Sequence, residues 1–176
     1  MPVFRSCLLA ATIAALVGRA VVGAAAAKEE AGTTPPVAVT ATRDCKGVGD
    51  ALVEIDMDGT EHLRDLVSRC TLASGDRGLD DPYILITHTD CFPDGSCTVW
   101  GTIEPDGLDG WRGTYRGWVD ADGTSHTVSA LEGVGTFEGL TFVNRGMGDL
   151  GLGSTAEVEG VIYVGSPPPW DETWPG

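Results

Sequence analysis

Five aspartyl-glycine steps separate short segments rich in β-branched and aromatic residues, and this repetition constrains the fold more than any other feature of the chain. An Asp-Gly pair supplies the positive φ that tight hairpin turns require. Turns at such close intervals predict an antiparallel meander, and closure into a barrel would remove its exposed edges. We therefore predict an all-β fold, a single antiparallel β-barrel of about eight strands. The steps lie at 58–59, 94–95, 106–107, 109–110 and 122–123.

Six segments rich in branched and aromatic residues predict strands. The segment 61–72 is ambiguous, because four of its apolar residues have helical spacing, namely Leu63, Leu66, Val67 and Cys70. The strand-rich sequence that follows favours a strand there as well. The six predicted strands are 83–89, 98–104, 111–119, 126–131, 136–143 and 156–164.

The amino-terminal residues have the order that is typical of a secretory signal peptide. Arg5 supplies a positive charge, 7–17 is a short apolar run, and small residues lead to a predicted cleavage site after Ala26 or Ala27. A membrane anchor is the alternative, but the apolar run is too short to span a bilayer and a glycine and an arginine follow it. We therefore expect a secreted, extracellular protein after removal of residues 1–27.

Removal of residues 1–27 would leave 149 of the 176 residues, which is the size of a single domain. It would also change the formal net charge from −15 to −17, because two arginines and no acids are lost. Such a charge repels nucleic acid and anionic membrane surfaces, so we predict no nucleic-acid partner. We also predict no membrane span in the mature chain. The predicted organisation is a disordered lead-in at 28–36, a barrel domain at 37–165 and a proline- and tryptophan-rich tail at 166–176.

The predicted mature chain keeps four cysteines, an even number that indicates two disulfides in an exported protein. Four cysteines allow three pairings. We favour Cys91–Cys97, because these residues flank a short turn segment, and consequently Cys45–Cys70. A metal site is disfavoured, since no Cys-x-x-Cys occurs and the three histidines lie at no ligand spacing. We predict no metal and no cofactor.

The hairpin between the favoured half-cystines can be given a register. With the two cysteines opposite each other, His88 pairs with Trp100 and Leu85 pairs with Ile103. The hairpin then has one polar and one apolar face. The apolar face carries Leu85, Val99 and Ile103. The polar face carries His88, Asp90, Trp100 and Glu104, together with Ile84 and Ile86.

The polar face of this hairpin has two interpretations. If it points into the barrel, Asp90 and Trp100 line a ligand pocket, and His88 and Glu104 form a hypothetical catalytic acid and base. If it points outward, it is ordinary solvated surface. We favour the outward orientation, because the opposite face is the more apolar one.

A second hairpin turns at the last Asp-Gly step and pairs Trp118 with His126 and Arg112 with Glu132. We interpret its polar face, which also carries Arg116, as an exposed ladder. Glycines within its strands permit the strong coiling that a small barrel needs. The predicted structural glycines of this hairpin are Gly113 and Gly117.

Motifs for metal binding or nucleophilic chemistry are incomplete or missing from the sequence. Two Asp-x-Asp-Gly fragments, at 56–59 and 120–123, lack the third ligand and the final glutamate of a calcium loop, so we interpret them as turns. The sequence contains neither a Gly-x-Ser-x-Gly motif nor a phosphate-binding loop. These patterns give no support to a hydrolase or a nucleotide-binding enzyme.

The Gly-x-Gly-x-aromatic-x-Gly pattern within 129–142 resembles a strand pair of the allene oxide cyclase and dirigent-like β-barrels. The Trp-Gly-Thr that begins at Trp100 and the segment 110–118 are similar to secreted bacterial barrel proteins of unassigned function. The resemblance implies this barrel for about 83–164, and it carries no catalytic residue over. It implies structural glycines at Gly133, Gly135 and Gly139.

The sequence favours a secreted, non-catalytic β-barrel that acts as a binding or interaction module. A barrel of this size can enclose one small apolar ligand. One alternative is an isomerase or cyclase that acts on a small apolar substrate inside the barrel. Another is partner docking through the carboxyl-terminal tail, which contains Trp170 and Trp174. The sequence gives no indication of the oligomeric state.

Overall fold

The computed structural model describes residues 35–75, 79–149 and 154–167. Apart from a short 3-10 helix, Gly135–Phe137, the regular structure of these residues is β-strand, which confirms the predicted all-β class. The strands are β1 (Val37–Gly47), β2 (Leu52–Ile55), β3 (Glu61–Ala73), β4 (Tyr83–Cys91), β5 (Cys97–Pro105), β6 (Gly110–Val119), β7 (Thr124–Val134), β8 (Leu140–Asp149) and β9 (Thr155–Val164).

Eight of these strands form a closed antiparallel barrel, as predicted. Neighbours in the barrel follow chain order from β3 to β9, and β1 closes the sheet by pairing with both β9 and β3. The extra strand, β2, pairs with the beginning of β3, whereas β1 pairs with its end. Closure therefore leaves the backbone of the barrel strands paired on both sides over most of their length.

Both predicted disulfides are present. The first hairpin has the predicted register throughout, and its Cys91 and Cys97 lie directly opposite each other and are bonded. The second bridge joins Cys45 to Cys70, which are cross-strand partners in β1 and β3. The second disulfide therefore links the two strands that close the barrel.

The second hairpin also has the predicted register, with Trp118 opposite His126 and Arg112 opposite Glu132. The predicted ladder differs in one respect. The Arg112 Nε lies 2.6 Å from Glu104 Oε2, so its ion pair reaches across to β5 and not to its partner on β7. Cross-strand register alone does not decide which of two neighbouring carboxylates an arginine selects.

Three of the five Asp-Gly steps, at 58–59, 94–95 and 122–123, form tight turns in which the glycine φ is 86°, 87° and 90°. In each, the aspartate accepts a backbone hydrogen bond from two residues later, at 3.0, 2.9 and 2.9 Å. Hydrogen bonds from that residue hold the pKa of all three carboxyls below the ordinary value. The step at 106–107 lies between β5 and β6 and lacks the predicted positive φ, and the step at 109–110 leads directly into β6.

The strand predictions need two corrections. The segment 61–72 forms the strand that we favoured. The predicted strand 136–143 is wrong at its start, because β8 begins only at Leu140 and continues to Asp149. Gly135 and Gly139 have φ of 69° and 84°, which a continuous strand cannot accommodate. In addition, β1 and β2 were not predicted.

Other predicted glycines allow strands to approach closely. A Cβ atom at Gly117 would overlap the carbonyl oxygen of His126 on β7, and one at Gly113 would overlap that of Ala130. A Cβ at Gly133 would overlap the carbonyl oxygen of Phe137. These glycines therefore have a packing role, whatever the family of the barrel.

One end of the barrel, which we call the aromatic end, is filled by side chains. Trp111 stacks on Phe137 at 5.3 Å between ring centroids and lies 5.4 Å from Phe142. Burial of aromatic rings stabilises the fold strongly. The same core includes the buried side chains of Leu72, Leu79, Ile103, Leu131 and Val158.

Several predictions fall outside the described residues. They are the signal peptide at 1–27, most of the lead-in at 28–36, and most of the tail with Trp170 and Trp174. The first strand begins at Val37 and the last ends at Val164, within the bounds predicted for the barrel domain. No helical segment in the described ranges reaches the length and hydropathy of a transmembrane helix.

Candidate ligand site inside the barrel

The barrel interior contains a cavity of about 490 Å³ at the end opposite the aromatic end. Its rim includes Gly49, Asp50 and Ala51, which follow β1, and Asp149 and Ser154, at the facing ends of β8 and β9. We call this cavity the cup. Its volume lies within the range of about 300–1,000 Å³ that is usual for small-molecule sites.

The wall of the cup is built from residues that point inward at alternate strand positions. A β-bulge in β3 breaks this alternation between Leu63 and Leu66, where Asp65 has a φ of 57°. Because of the bulge, both leucines contact the cup. The apolar lining residues are Leu63, Leu66, Leu85 and Val99, and the hydroxyl-bearing ones are Ser68, Thr87, Thr89, Ser125 and Thr127.

Arg43 lies at the floor of the cup. Together with Tyr115 and Thr127, it lines both the cup and a second, deeper cavity of about 40 Å³ towards the aromatic end. Arg43 reaches this position because it follows Val39 and Ala41 on the inner face of β1. A guanidinium therefore separates a wide, partly apolar space from a small one.

Two tyrosines lie close to Arg43 in the interior. Burial raises the pKa of Tyr83 and of Tyr115 to about 12 each, and the nearby guanidinium of Arg43 acts in the opposite direction on both. Both phenols are therefore protonated at neutral pH. The Tyr115 hydroxyl donates a hydrogen bond of 2.6 Å to Thr87 Oγ1, which fixes one side of the floor.

Three buried polar atoms next to the deeper cavity have no hydrogen-bond partner among the described residues. They are Arg43 Nε, Trp111 Nε1 and Ser129 Oγ. The side chains of Trp111 and Ser129 are almost completely buried, with exposures of 7% and 3%. Buried polar atoms are normally hydrogen-bonded, so three such atoms around one cavity mark it as unusual.

The predicted candidates on the first hairpin lie on the outer surface of the barrel, the orientation that we favoured. Trp100 is 36% exposed, whereas its neighbour Val99 is 2% exposed and faces the cup. His88 lies beside Trp100, with 5.8 Å between ring centroids. The interpretation of Asp90 and Trp100 as linings of an inner pocket is therefore wrong.

His88 and Glu104 are not neighbours. Glu104 lies four residues beyond Trp100 on β5, a separation of about 13 Å along the strand, and its carboxylate is paired with Arg112. An acid and a base must both reach the reacting atoms. The two residues therefore do not form the hypothetical catalytic pair.

Asp90 belongs instead to an outer cluster that the sequence did not predict. Its Oδ1 lies 2.6 Å from both His62 Nδ1 and Arg64 Nη2. Arg64 also lies 5.1 Å from the centroid of the Trp100 ring, a cation–π distance. We call Asp56, His62, Arg64 and Asp90 the outer cluster.

His62 has a carboxylate at each ring nitrogen. The hydrogen bond with Asp90 is the main cause that raises its pKa, and Asp56 Oδ2, 3.1 Å from Nε2, acts in the same direction. In turn, the pKa of Asp90 is lowered, first by His62 and then by Arg64. The outer cluster is thus electrostatically matched within the chain, and Arg64 Nη2 also lies 3.1 Å from His62 Nδ1.

On the second hairpin, the aromatic contact is with histidine. Trp118 stacks on His126 with 4.9 Å between ring centroids, and His126 Nε2 lies 2.9 Å from Asp120 Oδ2. This arrangement agrees with an exposed ladder.

Within the described part of the chain, no group of three or more His, Cys, Asp or Glu residues has the geometry of a metal site.

Arg43 and the unpartnered donors were not identified from the sequence. A signal existed, because Val39, Ala41, Arg43 and Cys45 alternate with residues of the other face, and an arginine among small, inward-facing residues is unusual. Because β1 was not predicted as a strand, this alternation could not be assigned to an inner and an outer face.

Comparison with protein-family models, with curated proteins and with solved structures finds no match. The resemblance to allene oxide cyclase and dirigent-like barrels therefore remains a prediction beyond the barrel architecture itself.

Proposed function

We propose that this chain is a secreted binding protein that holds one small ligand in the cup without transforming it. The observation that supports the proposal best is the cup itself, a cavity of about 490 Å³ inside a closed barrel. Its wall combines apolar with hydroxyl-bearing side chains, which is the combination that small-molecule sites use for affinity and orientation. Two disulfides, including one across the barrel closure, are typical of an exported protein.

Binding is favoured over an isomerase or cyclase activity by the position of the ionisable groups. The charged residues that line the cup in the described structure are Arg43 on the floor and Asp50 and Asp149 at the rim. The proposed acid and base, His88 and Glu104, lie on the outer surface. A rigid barrel with a partly apolar interior is suited to retention of a ligand.

The proposal can be tested with an uncharged probe, 4-tert-butylbenzyl alcohol, by isothermal titration calorimetry. Thr89 faces the cup and Thr98, on the next strand, faces outward, so they form a matched pair. Thr89→Trp should fill the cup and reduce the affinity about tenfold or more, whereas Thr98→Trp should leave it unchanged. Equal affinities for the two variants would contradict binding in the cup.

A further inference from the structure

The unpartnered atoms beside the deeper cavity share one chemical requirement. Arginine Nε and indole Nε1 carry hydrogens and can only donate, and the Ser129 hydroxyl can also donate. Since all three side chains line the same space, one group with several lone pairs could accept from them together. A ligand in the deeper cavity must therefore provide hydrogen-bond acceptors.

The charge of Arg43 narrows the choice of acceptor. Arg43 forms an ion pair with none of the described carboxylates, whereas four other described arginines each pair with one. A guanidinium inside a barrel is costly unless a negative charge compensates it, and it cannot lose its proton. A water molecule would satisfy hydrogen bonds but would leave the charge uncompensated.

The surroundings of Arg43 exclude large or highly charged anions. The deeper cavity, about 40 Å³, has room for a few small atoms only. The rim of the cup carries Asp50 and Asp149, which repel multiply charged ligands such as polyphosphates. Leu63, Leu66 and Leu85 provide an apolar wall for the remainder of the ligand.

We propose that Arg43 anchors the carboxylate of a small organic monoanion, whose apolar body fills the cup. This inference rests on the proposed function and adds the ligand class. The guanidinium fork matches a planar carboxylate, and hydrogen bonds between charged partners are about twice as strong as neutral ones. Trp111 Nε1 and Ser129 Oγ lie beside the same cavity and supply further donors to the bound carboxylate.

The test compares 4-tert-butylbenzoate with 4-tert-butylbenzyl alcohol, which differ only in the carboxylate, by isothermal titration calorimetry on the full mature chain. The wild type should bind the acid about tenfold or more tightly than the alcohol. Arg43→Met should abolish this preference, so that the acid and the alcohol bind with similar affinities. Arg145→Met, an exposed arginine paired with Glu159, is the matched control and should keep the preference.

The outcomes separate the two proposals. If the wild type binds both compounds equally, the assignment of the anion site to Arg43 is overturned, and binding in the cup stands. If neither compound binds, both proposals are overturned. If Arg43→Met does not fold, Arg43→Lys keeps the charge but removes Nε and the planar fork, and it should reduce the preference for the acid. An undiminished preference in either Arg43 variant would contradict the inference.

Discussion

Two arginines on neighbouring strands, Arg64 on β3 and Arg43 on β1, have opposite environments. Arg64 points outward, donates to the carbonyl oxygens of Leu63 and Thr89 at 3.0 and 2.9 Å, and forms an ion pair with Asp90. Arg43 points into the barrel, and its buried Nε has no partner among the described residues. The outer arginine makes its hydrogen bonds within the chain, whereas the inner one keeps one buried donor, Nε, without a partner among the described residues.

This difference separates a structural role from a binding role. A polar group that is fully paired contributes to stability, whereas a buried unpaired one costs free energy in the absence of a ligand. Proteins retain such destabilising groups at functional sites. On this reasoning, the outer cluster stabilises the barrel and Arg43 serves a ligand.

Removal of the acceptor in the outer cluster should have the largest effect on stability. Asp90→Asn takes away a charge that faces both His62 and Arg64, and we expect the free energy of unfolding to fall by about 1–2 kcal/mol. Urea denaturation followed by tryptophan fluorescence measures this change. The Arg145–Glu159 pair provides the control, because both side chains are more than half exposed. Glu159→Gln should cost less than about 0.5 kcal/mol, and an equal cost for both variants would contradict a special role of the outer cluster.

A smaller effect should appear in the pH dependence of stability. Because the folded-state pKa of His62 is raised, its contribution is complete below the unfolded value of 6.5 and is lost as the pH rises through the folded value. The pKa of Asp90 is lowered, so its contribution is present above 3.8 and is lost in acid. The pair should therefore stabilise most between these two values. His62→Gln should reduce the loss of stability between about pH 6 and pH 8.5, measured by urea denaturation, and an unchanged profile would argue against this pairing.

Much of the fold follows from local sequence signals. The hairpin registers were predictable because the turns and the strand alternation at Cys91–Cys97 are both local in sequence. The start of β8 was not, since Gly135 and Gly139 interrupt a segment of otherwise strand-like composition. The local sequence thus predicts the strand register where a recognisable turn connects two strands. It does not predict where a strand begins when the preceding segment has no recognisable turn.

Barrel closure and the binding site depend on contacts that are distant in sequence. β1 pairs with β9, more than a hundred residues later, and no local signal specifies that pairing. The cup takes residues from almost every strand, and Arg43 becomes an interior residue only when β1 closes the sheet. The outer face of the first hairpin was predictable, but Arg64 and His62 come to Asp90 from β3, whose register the sequence did not give.

The central claim is that the interior arginine serves binding at a cost to stability, and the most direct test is thermal unfolding of Arg43→Met and Arg64→Met without added ligand. We expect Arg64→Met to lower Tm by about 2–4 °C and Arg43→Met to raise it by a similar amount. If Arg43→Met lowers Tm as much as Arg64→Met does, Arg43 supports the fold and the account is contradicted.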